Sequence, residues 1–126
     1  MNITEMTMQF RVKDYEEGVR WYEKLFRRPA DFVPHEDFAE WEMLSGCWLQ
    51  VAKGEPAEGS GPLRLGVDEI EGERKRLIAE LGVEPSPVYS REGVPVKWCT
   101  FSDPWGNRIG FFQELSSGTN QKEQEK

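Results

Sequence analysis

The strand-to-helix pattern near the start of this chain occurs a second time, 55 residues further on. Residues 6–12, MTMQFRV, alternate strictly. Met6, Met8, Phe10 and Val12 are apolar, while Thr7, Gln9 and Arg11 are polar, which predicts a strand with one buried face. KDYEEGVRWYEKLF then switches to a helical period, with Tyr15, Val19, Tyr22 and Phe26 on one side. Asp14 is placed to cap that helix, Glu17 sits at the capping-box position, and Pro29 stops it. The offset of 55 carries Val12 to Val67, Asp14 to Glu69, Tyr15 to Ile70, Tyr22 to Leu77 and Phe26 to Leu81. The apolar stripe of the first helix thus maps onto that of DEIEGERKRLIAEL, which ends before Gly82. An internal repeat of this size restricts a fold more than any single motif does.

The remaining segments read as strands. FAEWEML and CWLQVA flank Ser45-Gly46, a tight hairpin signal. LRLGV opens the second half, and PVYS, VKWCTF and RIGFFQEL follow its helix. The last two flank Asp103-Pro104-Trp105-Gly106, which fits a type I turn in which Asp103 accepts backbone N–H groups. The expected organisation is one α+β domain, 1–126, made of two strand-helix-strand-strand-strand units, 5–53 and 62–115. A Gly/Pro/Ser/Glu-rich linker, 53–62, joins them, and 116–126 reads as a frayed polar tail.

Composition narrows the function. The formal net charge of -7 argues against nucleic acid or an anionic membrane as partner. No run approaches the ~18 apolar residues of a membrane span. The first ten residues lack a basic segment followed by an apolar one, so a cytoplasmic location is expected. Cys47 and Cys99 form no paired motif and read as small hydrophobes. His35, the single histidine, has no second His or Cys nearby for a structural zinc site and reads as a loop residue beside Glu36, Asp37 and Glu40.

FRVKDYEEGVRWYEKLF early and FSDPWGNRIGFF late resemble the vicinal oxygen chelate superfamily, which includes glyoxalase I, extradiol dioxygenases, fosfomycin-resistance enzymes and bleomycin-resistance proteins. Val12, Asp14, Trp21, Tyr22, Leu25 and Phe26 match its early motif, with Arg27 standing where the family usually has Gly. The late Asp-Pro-x-Gly-Asn motif is complete. The resemblance spans about residues 5 to 115. It implies two βαβββ units whose strands form a curled mixed sheet around a cavity, with helices outside. It also implies a homodimer and, in the enzymes, a divalent metal held by four His, Gln or Glu side chains. Carried over one at a time, those four positions fall on Thr7, Gln50, Pro62 and Gly110. Pro62 and Gly110 have no donor side chain, so no metal and no other cofactor is expected.

If those positions face the cavity, so do their neighbours two residues away. The implied lining is Thr7, Gln9, Arg11, Trp48, Gln50, Arg64, Trp98, Thr100, Arg108 and Phe112, with Val96 and Gly110. The opposite parity gives Met8, Phe10, Leu49, Val51, Leu63, Leu65, Cys99, Phe101, Ile109 and Phe111, an apolar set suited to a helix-covered core. No Asp, Glu or His falls on the lining by this count, and the facing of Trp41 and Met43 is open.

Aromatic walls with arginines suit a small aromatic or carboxylate-bearing organic molecule. The leading expectation is a binding protein of glyoxalase/bleomycin-resistance character, closest to the metal-free branch, with no catalytic residue. One alternative is a lyase, isomerase or oxygenase with an atypical metal site or a metal-free mechanism. The other is a regulatory dimer with a filled interior.

Overall fold

The computed structural model describes residues 1–57, 59 and 61–115. The expected tail, 116–126, and two positions of the linker lie outside the described residues. The chain divides into two compact units. One is Met1–Gly61 together with Asp103–Asn107. The other is Pro62–Ser102 with the residues from Arg108 onward.

The first unit has β1 (Met6–Val12), α1 (Tyr15–Phe26), β2 (Phe32–His35), β3 (Phe38–Leu44) and β4 (Cys47–Lys53). The second has β5 (Leu63–Gly66), α2 (Ile70–Arg76, continuing as a wider π-helical turn over Leu77–Leu81), β6 (Tyr89–Ser90), β7 (Val96–Ser102) and β8 (Arg108–Glu114). Their four-stranded sheets have the same order, β1-β4-β3-β2 and β5-β8-β7-β6, with β1 parallel to β4 and β5 parallel to β8. This is a two-repeat βαβββ fold of the α+β class.

α1 starts where the Asp14 side chain accepts a hydrogen bond from Glu17 N at 3.0 Å. It ends at Arg27, whose φ of 60° is left-handed. Gly82, 55 residues on, ends the second helix with φ 68°. Glu69, the counterpart of Asp14, makes no side-chain cap. Gln113 Oε1 from β8 accepts from Ile70 N instead, at 2.8 Å. The sequence predicts one helix that ends before Gly82. Its last turn is widened, with the Gly82 N–H donating to Leu77 O.

β2 was not singled out in the sequence. Its four residues are all exposed and contain Pro34, so neither alternation nor burial marks it. His35 lies in this strand rather than in a loop. At the other sheet's edge, β6 is only two residues long, shorter than PVYS.

The core of the first unit packs Trp21, Tyr22 and Leu25 of α1 with Phe10, Val12, Ala39, Trp41, Leu49 and Val51 of its sheet. Tyr22 is its aromatic centre, 6.4 Å from Phe10, 5.8 Å from Phe26 and 6.3 Å from Trp41. Trp41 is fully buried, and its Nε1 donates to Arg28 O at 3.0 Å. Gly18 permits close approach: a Cβ there would meet Val12 Cγ2 at 2.7 Å. In the second unit Ile70, Leu77, Cys99, Phe101, Ile109 and Phe111 are buried, with Phe101 edge-on to Phe111 at 5.1 Å. Burial pushes the Cys99 thiol up from its ordinary value, consistent with an inert hydrophobe.

The Asp103 turn packs with the first unit. Gly106 N donates to Asp103 O at 3.1 Å, closing the type I turn. Asp103 Oδ1 accepts from Trp105 N and Asn107 N, each at 2.9 Å. Its Oδ2 accepts from Tyr22 Oη at 2.6 Å and from Asn107 Nδ2 at 2.8 Å. Asn107 Nδ2 also donates to Arg11 O at 3.0 Å. The motif is a buried polar knot.

Candidate functional site

The faces opposite the two cores carry every side chain that the sequence marks as lining. Strand register arranges each face into rows, because paired residues share a side of the sheet. In the first unit the rows across β1, β4 and β3 are Arg11–Ala52–Phe38, Gln9–Gln50–Glu40 and Thr7–Trp48–Glu42. Thr7, Gln9 and Arg11 are exposed, and Trp48 and Gln50 are half-buried.

The middle row is a chain of hydrogen bonds. Arg11 Nε donates to Gln9 Oε1 at 3.2 Å, and Gln9 Nε2 to Gln50 Oε1 at 3.3 Å. Gln50 Nε2 donates to Glu40 Oε2 at 2.7 Å.

Glu40 and Glu42 correct the expectation that this face holds no acidic group. Their parity could not be read in the sequence, because it depends on the β3–β4 register. His35 pairs with Phe38 at the sheet edge, with rings 5.0 Å apart. Its Nδ1 lies 2.8 Å from Glu36 O, a carbonyl that can only accept, so Nδ1 carries a proton. Glu42 is already engaged, its carboxylate accepting from Gly46 N at 3.0 Å.

In the second unit the rows are Gly66–Phe112–Trp98 and Arg64–Gly110–Thr100, with Arg108 beside Ser102. The Arg64 guanidinium lies 5.1 Å from the Phe112 ring centroid. That ring covers Gly66, where a Cβ would meet Phe112 Cζ at 3.1 Å. Tyr89 of β6 lies with its ring 6.2 Å from that of Trp98 and tilted by 45° to it. The space left by Gly110 is bounded by the Arg64 stem, whose Cγ would be 3.8 Å from an added Cβ. A concavity of about 310 Å³ opens beside Gly66, Val67, Asp68 and Phe112. Of the expected lining it includes Phe112 alone.

The register also locates where the repeat slips. Gln9 and Arg64 are 55 residues apart, but their partners Gln50 and Gly110 are 60 apart. The third-strand partners Glu40 and Thr100 are likewise 60 apart. Five extra residues therefore lie between the second helix and its third strand. Gln50 and Gly110 are equivalent positions, one in each unit.

The donor set does not fit a metal of the superfamily type. Thr7 offers one hydroxyl, Pro62 and Gly110 offer no side-chain donor, and Gln50 Oε1 is occupied by Gln9. Among the described residues no three His, Cys, Asp or Glu side chains are grouped to hold a cation. No helix among them is long and apolar enough to cross a membrane.

No protein-family model and no curated protein matches the chain. Solved structures do. A glyoxalase / bleomycin resistance protein from Catenulispora acidiphila DSM 44928 is 26% identical, with a TM-score of 0.70, covering 86% of this chain and 96% of that one. TnmS3, an antibiotic binding protein from Streptomyces sp. CB03234, is 20% identical with a TM-score of 0.69, covering 90% and 96%. The fosfomycin resistance protein FosX from Mesorhizobium loti is 19% identical with a TM-score of 0.64, covering 92% and 94%. With the doubled βαβββ topology and both sequence motifs, these similarities give the chain the fold of the vicinal oxygen chelate superfamily.

Proposed function

We propose that this protein binds a small organic molecule with a planar aromatic part and carries out no reaction on it. The observation that carries this reading is the substitution pattern at the four positions where relatives hold a metal. Thr7, Gln50, Pro62 and Gly110 supply too few donors, while Trp48 stands on the polar face of the first sheet and Trp98 on that of the second. Trp48 with Arg11 and Gln50 offers a flat apolar surface beside placed donors, the usual composition of a small-molecule site. Similarity to an antibiotic binding protein and to resistance proteins favours the same class of ligand. A cytoplasmic homodimer is part of this proposal.

Thermal melts against a panel of planar aromatic acids and amines test it. The expected result is a ligand-dependent rise in Tm that EDTA leaves unchanged. A large stabilisation that requires Zn2+, Ni2+, Mn2+ or Fe2+ would overturn it.

A second reading, a catalyst of the same fold, has one observation in its favour. Glu40 is a carboxylate on the face, held by Gln50 at 2.7 Å and available for proton transfer. Turnover of a panel compound that disappears in Glu40→Gln would establish that reading instead.

A further inference from the structure

The hydrogen-bonded row on the first sheet runs in one direction. Arg11 can only donate, and an ionised Glu40 can only accept. These two ends fix the orientation of both glutamine amides: each accepts on the Arg11 side and donates on the Glu40 side. The row is therefore a polar ladder with a cation at one end and an anion at the other. Two groups are left over. Among the described residues the terminal nitrogens of Arg11 have no hydrogen-bond partner, and neither has Glu40 Oε1. Arg11 is on β1 and Glu40 on β3, so two strand spacings, about 10 Å, separate their strands. Trp48 lies on the same face, two residues from Gln50 along β4.

We propose that this face selects a dipolar aromatic ligand, with an anionic group at the Arg11 fork and an amine at Glu40 Oε1. Its planar body lies across Gln50 beside Trp48. The proposal rests on the binding reading above and specifies the charge pattern of the ligand. A guanidinium fork suits a carboxylate, and a carboxylate oxygen suits an ammonium, each contact being charge-assisted. The two glutamines cannot reverse to accommodate the opposite polarity without breaking the row. A ligand turned end for end meets like charges at both ends.

Four matched naphthalenes test this by titration calorimetry: 6-(aminomethyl)-2-naphthoic acid, 2-naphthoic acid, 2-naphthylmethylamine and 2-naphthylmethanol. The dipolar compound is expected to bind at least tenfold more tightly than each of the other three. Glu40→Gln should remove its advantage over the plain acid, and Arg11→Gln its advantage over the plain amine. Arg11→Lys, which keeps the charge without the fork, should fall between wild type and Arg11→Gln. If the neutral alcohol binds as tightly as the dipolar compound, the charge pattern is wrong while aromatic binding stands. If none of the four binds, the charge selection and the aromatic-binding reading on which it rests both fall.

Discussion

Asp103 shows how much one turn residue can carry. It is 4% exposed, and its two carboxylate oxygens accept four hydrogen bonds. Such a knot is stable only when complete, since a buried carboxylate that loses a donor keeps its desolvation penalty. Tyr22→Phe is expected to lower unfolding free energy by about 1–3 kcal/mol in urea denaturation, with no change of fold. The same pair sets an alkaline limit. Burial first, then the Asp103 charge and hydrogen bond, hold the Tyr22 hydroxyl well above its usual range. A phenol whose folded pKa is raised contributes stability that is complete below the unfolded value of about 10 and is lost as pH rises past it. Urea midpoints of the wild type should fall above that pH, and those of Tyr22→Phe should fall less steeply. Gly18 is the opposite kind of constraint, one of space alone. Gly18→Ala drives a methyl into Val12 and should lower stability by about 1–3 kcal/mol. A Val12→Ala, Gly18→Ala double variant should lose less than the two singles together.

At the scale of elements, the repeated helices reach the same geometry by different means. α1 is capped by its own Asp14, and α2 by Gln113 from a neighbouring strand. Asp14→Ala should therefore lower the thermal midpoint by the equivalent of about 1 kcal/mol. Glu69→Ala should fall within about 0.5 kcal/mol of wild type, because Glu69 makes no cap bond. Gly82→Ala isolates a purely conformational effect: φ is +68° and nothing lies within 4 Å of the added Cβ. About 1 kcal/mol of destabilisation is expected in a chemical melt. These elements also show what was legible in the chain. β1, β4, β7 and β8 alternate strongly because one face of each packs into a core. β2 and β6 are edge strands whose side chains gain little burial, so selection for apolar alternation is weak there. The consequence for the candidate site was direct. No local pattern assigns β3 to a face, so Glu40 is not legible as a face residue, although it completes the hydrogen-bond chain that Arg11, Gln9 and Gln50 begin.

On the scale of the whole molecule, the two units share strand order and ladder register, yet their polar faces have diverged. Gln50 faces Glu40 in one, and the equivalent Gly110 faces Thr100 in the other. A protein built this way should keep its Tm, within about a degree, after exhaustive dialysis against EDTA, because none of the four inherited positions forms a donor cluster. A drop of several degrees, reversed by one divalent ion, would contradict that expectation. Local chemistry alone determined the α+β class, the 55-residue repeat, the helix ends and the parity of the long strands. Those features arise from short-range periodicity, caps and turns, which are written along the chain. Only the tertiary structure decided that Trp41 is buried and that Asp103 receives the Tyr22 hydroxyl. It alone placed Glu40 opposite Gln50, and it revealed that the repeat shifts from 55 to 60 residues beyond the second helix. Each of these is a meeting of residues distant in sequence, and strand register, which no local pattern encodes, determines which residues meet.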